Sequence, residues 1–321
     1  MLAYLRLFRW PNLLMVAFIQ YLVRYAVILP SLAMHDIEPG LSHFMFFILV
    51  LATLFITAAG YAINDYFDLR TDRINKPQKI VLGKHISRRR AILMHSFLNL
   101  TGVALGIFLS ISTGNWSLSV IFLIIPFLLW LYSIRYKRRF FIGNFIVAVM
   151  AAFVITIVWI FDYNSLLSIT EPGDPGILNT TWYVRIYALF AFLTTLGREI
   201  IKDIEDIRGD AKTGCKTIPV ISGVTFTKKA IVIIHAITIA FVAYIQIVLL
   251  MRDFDLLFVY ALLFVQVPFI FLIHKTVTAV EKYDYSSLSR MSKYIMFSGV
   301  LTMIILYFYI REGLTVIPEV Q

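Results

Sequence analysis

The chain has 321 residues, of which 60% are hydrophobic and 15% are charged, and its formal net charge is +10. Soluble domains contain roughly 45–50% apolar and about 25% charged residues, so this apolar excess indicates surface that faces lipid. The positive charge does not indicate a nucleic-acid partner, because 25 of the 29 Lys and Arg residues fall in alternate loops. The composition therefore predicts an integral membrane protein that contacts membrane lipid and binds no nucleic acid.

Nine stretches are long and apolar enough to cross the hydrocarbon core of a bilayer, which takes about 20 residues. In chain order they are 11–30, 43–64, 91–112, 117–134, 140–161, 182–200, 229–250, 254–274 and 293–311. Most turns between them are short. We therefore predict an all-α bundle of nine transmembrane helices that forms a single polytopic domain over residues 1–321.

The basic loops predict the orientation of this bundle. They are the N-terminus and segments 65–90, 135–139, 198–229 and 275–293, which all lie on the same side if nine helices alternate. Loops rich in Lys and Arg stay cytoplasmic. We expect a cytoplasmic N-terminus, an outside C-terminus and an outside loop at 162–181, in a bacterial or archaeal cell membrane.

Two segments at the cytoplasmic ends of predicted helices repeat the same acidic pattern. Positions 64–72 read Asn-Asp-Tyr-Phe-Asp-Leu-Arg-Thr-Asp and positions 202–210 read Lys-Asp-Ile-Glu-Asp-Ile-Arg-Gly-Asp. Both follow x-Asp-x-x-Asp-x-x-x-Asp. Their separation is close to half the chain, which predicts two pseudo-repeated halves with a site at their interface.

The spacing within each motif predicts a stripe of oxygen ligands on one helix face. Residues four apart share a face, so Asn64, Asp68 and Asp72 form one stripe, and Asp206 and Asp210 form another. Carboxylates gathered in this way oppose each other's ionisation unless cations lie between them. Oxygen donors without Cys or His favour Mg²⁺. A single such motif could equally be a solvated helix end, but two matched copies predict two Mg²⁺ positions with a diphosphate between them.

The paired motifs resemble the two signatures of the UbiA superfamily of intramembrane prenyltransferases. Four further segments resemble that family: Arg9-Trp10-Pro11-Asn12, Asn75-Lys76-Pro77, Tyr132-Ser133 with Arg135 and Lys137, and Gly214 to Pro219. The resemblance implies a UbiA-like bundle around a cavity open to lipid. It also implies Mg²⁺-dependent transfer of a prenyl group from an allylic polyprenyl diphosphate to an acceptor.

Within this family, residues 198–206 look most like the branch that geranylgeranylates geranylgeranylglyceryl phosphate, forming an ether lipid. The donor expected from that branch is geranylgeranyl diphosphate. Lys202 stands where quinone-pathway members often have Asn, and a Lys suits an acceptor that carries its own phosphate. We interpret Arg198 and Lys202 as candidates to bind that phosphate.

The remaining polar residues receive roles as hypotheses. Lys76, Arg135 and Lys137 would add positive charge around the leaving diphosphate. Asp65 and Asp203 would orient a motif residue or accept the proton of an acceptor hydroxyl. Three other residues complete the set of candidates: Tyr132 beside the reacting cation, and Arg9 and Asn12 beside the acceptor.

Three alternatives stay open at this point. An aromatic acceptor of hydroxybenzoate or dihydroxynaphthoate type would use the same motifs in quinone biosynthesis. A transporter would also be polytopic and internally repeated, but its acidic residues would lie near the membrane midplane. A phosphate-ester hydrolase or alcohol phosphotransferase could use Mg²⁺ and Asp pairs, but it would explain an apolar cavity less directly.

Overall fold

The structure is a computed structural model that describes residues 2–78, 80–167, 170–171 and 173–315. A short helix at Leu2–Leu7 precedes nine long helical segments. They are α1 (Trp10–Ala33), α2 (His43–Asn75), α3 (Arg88–Ser112), α4 (Trp116–Ile134), α5 (Ile142–Leu166), α6 (Pro175–Lys212), α7 (Ile218–Leu250), α8 (Asp255–Thr278) and α9 (Lys282–Arg311). The described residues form no β-strand beyond an isolated bridge between Leu82 and Ile86. The all-α prediction is confirmed.

Eight of the nine segments are apolar enough to count as membrane spans by length and composition. The exception is α6, which carries the second acidic motif and several polar side chains along its length. Its buried positions include polar residues such as Asn179 and Thr194. This polarity is tolerated because α6 packs against α5, α7 and α9 rather than facing lipid along its whole length.

Polar caps begin the helices that carry or contact the acidic motifs. The Ser42 hydroxyl accepts the Met45 N–H at 3.2 Å where α2 begins, and the Asp174 carboxylate accepts the Gly176 N–H at 2.7 Å where α6 begins. Glu281 and Asp284 form a reciprocal capping box at the start of α9. These groups satisfy backbone N–H donors that a helix leaves free in its first turn.

Both motif helices extend past the apolar stretches predicted from the sequence. The α2 helix continues from the predicted end at 64 to Asn75, and α6 continues from 200 to Lys212. Apolar length sets only the part of a helix that lies in hydrocarbon, and the polar ends continue as ordinary helix. Each acidic motif is therefore held on a rigid helical extension rather than on a loop.

Large apolar side chains on α3 and α4 point away from the bundle. Phe97 is 67% exposed, Leu100 is 71% exposed and Phe127 is 58% exposed. Apolar surface this extensive on a soluble monomer would be an interaction or aggregation site. On helices of this length it is the surface that faces lipid, and the chain is an integral membrane protein.

Contacts among the loops bring the predicted basic segments to one end of the bundle. The Lys282 ammonium donates to the Asn75 carbonyl at 2.8 Å, which joins the start of α9 to the end of α2. The Lys216 N–H donates to the Arg138 carbonyl at 2.8 Å, which joins the loop after α6 to the turn between α4 and α5. We call this end the motif end. Residues 316–321, predicted to lie outside, are not among the described residues.

A buried ion pair holds the opposite end together. The Arg24 guanidinium donates to the Asp162 carboxylate and to the Leu41 carbonyl, and the side chains of Arg24 and Asp162 are fully buried. The Leu41 N–H donates to Asp162 at 2.9 Å, and Arg24 lies 5.0 Å from the centre of the Phe46 ring. The sequence analysis placed Asp162 in an outside loop. The structure places it inside α5, so that α1, α2 and α5 meet around one pair of charges.

We predict that Asp162→Asn lowers the thermal stability of the detergent-solubilised protein. Removing one partner of a buried ion pair leaves the other charge uncompensated and costs about 3–5 kcal/mol. The measurement is the unfolding midpoint by intrinsic fluorescence.

The control is Glu312→Gln, which removes an exposed carboxylate at the end of α9 and should leave the midpoint unchanged. The double variant Arg24→Leu/Asp162→Leu should recover much of the loss, because no unpaired charge remains. A wild-type midpoint for Asp162→Asn would show that the pair contributes nothing.

Candidate active site

The two acidic stripes face each other at the motif end. Asn64 and Asp68 on α2 are each only 9% exposed, and Asp210 on α6 is 8% exposed. The charge of Asp210 interacts with those of Asp206 and Asp68, the latter across the gap between the two helices. The predicted meeting of the two motifs is thus present in the fold, although the role of each residue as a metal ligand stays a prediction.

Lys137 lies between the ligands predicted on α2. It belongs to the turn Tyr136–Arg138 between α4 and α5, and its ammonium donates to Asp68 and, at 3.4 Å, to the Asn64 side chain. Burial lowers the pKa of Lys137, but the Asp68 carboxylate and other neighbours raise it more, so the pKa lies above its ordinary value. Lys137 is therefore a fixed positive charge at motif one.

Lys76 places an ammonium group beside motif two, as Lys137 does beside motif one. Its ammonium lies 2.7 Å from Asp206 Oδ2 and 3.9 Å from Glu205 Oε1. Because Lys76 follows motif one in the chain, this ion pair crosses from one half of the protein to the other. The second oxygen of Asp206, Oδ1, is buried without a hydrogen-bond partner in the described part of the chain. A buried oxygen without a hydrogen-bond donor is unfavourable, so this atom is available to a bound ligand.

Asn75 ties the two motif helices together. Its amide donates to the Asp206 carbonyl at 2.9 Å and accepts the Gly209 N–H at 2.9 Å. A Cβ atom at Gly209 would lie 2.3 Å from the Asn75 side-chain nitrogen, so only glycine allows this approach. The Thr71 and Thr213 hydroxyls share a further bond of 3.1 Å. The sequence analysis quoted Asn75 as part of a motif but assigned it no role.

The paired residues Asp65 and Asp203 are each held from a neighbouring helix. Arg9, just before α1, donates to Asp65 at 2.7 Å, and Asn144, near the start of α5, donates to Asp203 at 2.9 Å. Arg9 and Phe141 have positive φ values of 50° and 59° and occupy the same position before their helices. The two halves therefore repeat the arrangement as well as the motif.

The sequence analysis missed Asn144. A signal for it exists, since Asn144 follows Phe141 at the spacing at which Asn12 follows Arg9. The carboxylates of Asp65 and Asp203 are thus anchored, as expected if they orient the motifs. The role of either carboxylate as a proton acceptor stays a prediction.

The cations predicted for the acceptor phosphate lie together on α6. Arg198 donates to Glu199 at 3.1 Å, and Lys202 lies 2.8 Å from the same carboxylate. Arg198 also donates to the Ser289 carbonyl of α9 at 3.3 Å. Asn12, predicted beside the acceptor, accepts from Lys293 of α9 at 3.2 Å. Lys293 was not among the predicted site residues.

Two predicted residues have weaker support from the geometry. Tyr132, near the end of α4, interacts electrostatically with Lys137 and so lies close to the site. Arg135 is exposed, and its guanidinium makes no hydrogen bond or ion pair within the described residues. Their roles beside the reacting cation and the diphosphate stay predictions.

The residues of the motif end fit Mg²⁺ by the chemistry of their donors. The side chains predicted as metal ligands offer only carboxylate and amide oxygens, and the unpartnered Asp206 Oδ1 adds a buried acceptor. No three His, Cys, Asp or Glu of the described residues converge closely enough to hold a metal as they stand. In this arrangement the Lys137 ammonium lies against Asp68 and the Lys76 ammonium against Asp206.

Cys215 lies beside motif two but does not join this donor set. Burial raises the pKa of its thiol above the ordinary value, and the nearby Asp210 charge adds to that effect. The group therefore stays a neutral thiol at physiological pH. A neutral thiol is a poor metal ligand and a poor nucleophile.

A cavity of about 590 Å³ at the opposite end does not compete with the motif end as a site. It is lined by uncharged residues: Gly40, Leu41, Ser42, Met45, Ser112, Thr113, Gly114, Asn115, Asn164 and Ser165. Such a lining offers no fixed positive charge for a diphosphate and no carboxylate for a metal. The two acidic motifs and the lysines that pair with them all lie at the motif end.

Known proteins resemble this chain in sequence. A digeranylgeranylglyceryl phosphate synthase of Methanosphaera stadtmanae is 32% identical over 247 residues, which cover 76% of this chain and 80% of that protein. The same enzyme of Sulfurisphaera tokodaii is 29% identical over 78% of this chain and 80% of its own length. That of Haloquadratum walsbyi is 38% identical over 55% of each chain.

Solved structures resemble the fold. A structure from work on digeranylgeranylglyceryl phosphate synthase in membranes superposes with a TM-score of 0.61 at 23% identity, over 94% of this chain and 98% of that one. The apo structure of a UbiA homolog from Aeropyrum pernix K1 gives 0.61 at 16% identity, over 89% and 98%. At this identity the likeness concerns the fold. The model of the UbiA prenyltransferase family matches residues 25–297. The predicted resemblance is confirmed, and the chain belongs to the UbiA prenyltransferase family.

Proposed function

We propose that this protein transfers a geranylgeranyl group from geranylgeranyl diphosphate to geranylgeranylglyceryl phosphate, forming an ether lipid, and that the reaction requires Mg²⁺. The observation that carries this proposal is the face-to-face placement of the two acidic stripes on α2 and α6, with lysines from the adjoining loops between them. The names of the relatives reported above support the choice of acceptor. The whole chain, 1–321, would act as one membrane domain.

Asn64, Asp68 and Asp72 would hold one Mg²⁺, and Asp206 and Asp210 the other. When bound, Mg²⁺ supplies Lewis-acid stabilisation of the charge that grows on the diphosphate. Lys76 and Lys137 would then turn from their carboxylates to the diphosphate oxygens, since both ammonium groups already lie at the motifs.

The chemical step breaks the bond between the allylic carbon and the diphosphate oxygen, and both electrons leave with the diphosphate. The acceptor hydroxyl oxygen then bonds to the allylic carbon and releases its proton. Asp65 and Asp203 are the candidate proton acceptors, although each is also held by a neighbour. The apolar helices around the site exclude water, which would otherwise capture the cation.

Arg198 and Lys202 favour an acceptor with a phosphate over an aromatic one. Residues 198, 202, 206 and 210 are four apart, so each of them is a surface neighbour of the next along α6. Lys202 is thus about one helical turn, roughly 5–6 Å, from Asp206. A phosphate bound there would leave the acceptor hydroxyl near the diphosphate. An aromatic acceptor is the second candidate, and the transporter and phosphatase alternatives lack support from the family.

The motif end would face the cytoplasm, where both water-soluble Mg²⁺ and the phosphate groups are available. This orientation rests on the basic loops that the fold brings together at that end. The end that contains Arg24 and Asp162 would lie on the outer side of the membrane.

We predict product from the purified, detergent-solubilised protein with geranylgeranyl diphosphate, Mg²⁺ and geranylgeranylglyceryl phosphate. The measurement is product formation with and without a chelator, against a panel that also contains 4-hydroxybenzoate and dihydroxynaphthoate. Transfer to an aromatic acceptor alone would overturn the proposed acceptor. Free phosphate without a prenyl product would indicate a hydrolase.

In the same assay, Asp68→Asn and Asp206→Asn should each lower kcat by about 100-fold or more, because each removes charge that stabilises the leaving group. Asp255→Asn, at the other end of the bundle, is the matched control and should keep wild-type activity. Full activity of both motif variants, in protein with a wild-type unfolding midpoint, would refute the assignment of the site.

We predict that Lys137→Met binds Mn²⁺, a paramagnetic substitute for Mg²⁺, about tenfold more tightly than wild type when no diphosphate is present. The Lys137 ammonium occupies the space beside Asn64 and Asp68, and removing it frees both oxygens. A tenfold change corresponds to about 1.4 kcal/mol. The measurement is Mn²⁺ binding by electron paramagnetic resonance.

Arg139→Met, which removes an exposed charge two residues away, serves as the control for overall charge. Weaker Mn²⁺ binding by Lys137→Met than by the control would mean that Lys137 does not compete with the metal. Transfer activity should fall in Lys137→Met, because the diphosphate loses a fixed positive charge.

A further inference from the structure

Residues from α1, α6 and α9 meet beside the site at a cluster of positive charge. Arg198 of α6 donates to the Ser289 carbonyl of α9 at 3.3 Å. Lys293 follows Ser289 by four residues, so the two positions share a face of α9. Lys293 in turn donates to Asn12 of α1 at 3.2 Å, and its charge repels that of Arg198. We call Arg198, Lys202 and Lys293 the basic cluster.

The basic cluster carries more positive charge than its protein neighbours neutralise. Glu199 pairs with both Arg198 and Lys202 at 3.1 and 2.8 Å. Lys293 has only the neutral amide oxygen of Asn12 as a hydrogen-bond partner in the described part of the chain. Arg9 is already paired with Asp65 and so adds no excess. Glu199 is therefore the one ion-pair partner of these three cations among the described residues, although the Asp203 charge also acts on Lys202.

Such an excess is unfavourable near a membrane unless an anion completes it. Like charges that are partly shielded from water repel each other more strongly than at a free surface. Lys202 and Arg198 are only 30% and 26% exposed, whereas Lys293 lies on the exposed side of the cluster. A phosphate monoester carries a charge of about −1.5 to −2 at neutral pH and would neutralise the positive charge that remains.

The position of the cluster separates it from the groups expected to hold the donor. Lys76 and Lys137, which contact Asp206 and Asp68, lie at the acidic stripes. Arg198 and Lys202 lie one to two turns before Asp206 on α6. Lys293 lies on α9, which contributes no residue to the ion pairs of Lys76 and Lys137. The two sets of cations can therefore bind two different phosphate groups at the same time.

We propose that Lys293 of α9 completes a subsite for the phosphate of the acceptor, together with Arg198 and Lys202, and that Asn12 positions the Lys293 side chain. This inference rests on the proposed function, since it assumes a phosphorylated acceptor. The α9 helix then contributes to acceptor specificity. A neutral acceptor of the same shape would leave the positive charge of the basic cluster without a counter-charge.

The test compares two acceptors in Lys293→Met and Lys293→Arg. With geranylgeranylglyceryl phosphate at saturating donor, Lys293→Met should raise KM by about 10- to 100-fold, the effect of losing one charged hydrogen bond. Lys293→Arg should keep most of the affinity. With geranylgeranylglycerol, which lacks the phosphate, Lys293→Met and wild type should have the same KM. The KM for geranylgeranyl diphosphate should not change in either variant.

Arg290→Met is the matched control, because Arg290 lies on the same helix less than a turn away and stacks on Tyr283 outside the cluster. It should keep the wild-type KM for both acceptors. An unchanged KM for geranylgeranylglyceryl phosphate in Lys293→Met would overturn the proposal. A rise in the KM for the donor would overturn it as well, because Lys293 would then bind the diphosphate.

A binding experiment separates failure of this inference from failure of the proposed function. If wild type forms no product with geranylgeranylglyceryl phosphate, the proposed function fails, but the cluster can still be tested with sn-glycerol 1-phosphate. That anion should raise the unfolding midpoint of wild type and Arg290→Met but not of Lys293→Met. Equal stabilisation of all three, or of none, would overturn the phosphate subsite.

Discussion

The two acidic helix ends repel each other, and the other contacts of the motif end compensate for this repulsion. Asp68 and Asp210 face each other from α2 and α6, and each has a second motif carboxylate beside it. The fold offsets this repulsion with cations from other parts of the chain. Lys137 reaches Asp68 from the α4–α5 turn, and Lys76 crosses from the first half to Asp206 in the second. The site therefore exists only when both halves are assembled.

The two halves resemble each other in geometry but differ in where their charged residues lie. Each half presents an acidic stripe, an anchored aspartate and a residue with positive φ before the anchoring helix. The anchor in the first half is a cation, Arg9, whereas the anchor in the second is a neutral amide, Asn144. The second half instead carries Arg198 and Lys202 ahead of its motif. The positive charge thus lies on different sides of the two stripes, which suits a reaction between two different phosphate-bearing substrates.

Much of this arrangement could be predicted from the sequence, because apolar length and four-residue spacing are local signals. The nine helices, the two stripes and their meeting at one end follow from such patterns. The ends of α2 and α6 could not be predicted, because the apolar sequence ends where the polar motifs begin. The helices continue beyond that point. Asn75, Asn144 and Lys293 were missed because their partners lie on other helices, and a single sequence gives little sign of contacts between distant residues.

The same reasoning explains why Asp162 was placed in a loop and why its pairing with Arg24 was not predicted. Their pairing joins positions 138 residues apart, and neither residue belongs to a motif. Burial of both charges is tolerated because each also bonds to the backbone of Leu41. A buried pair of this kind is weak as a source of net stability but strict about its geometry.

That pair also has a consequence for how the protein enters the membrane. Arg24 lies in the second half of the apolar α1, and an unpaired arginine at the centre of a transmembrane helix costs about 2.5–3.5 kcal/mol on insertion. Its partner is synthesised 138 residues later, a delay of roughly 7–28 s at about 5–20 residues per second. The guanidinium of Arg24 is therefore made well before its partner, and we expect α1 to reach its final depth in the membrane only when α5 arrives.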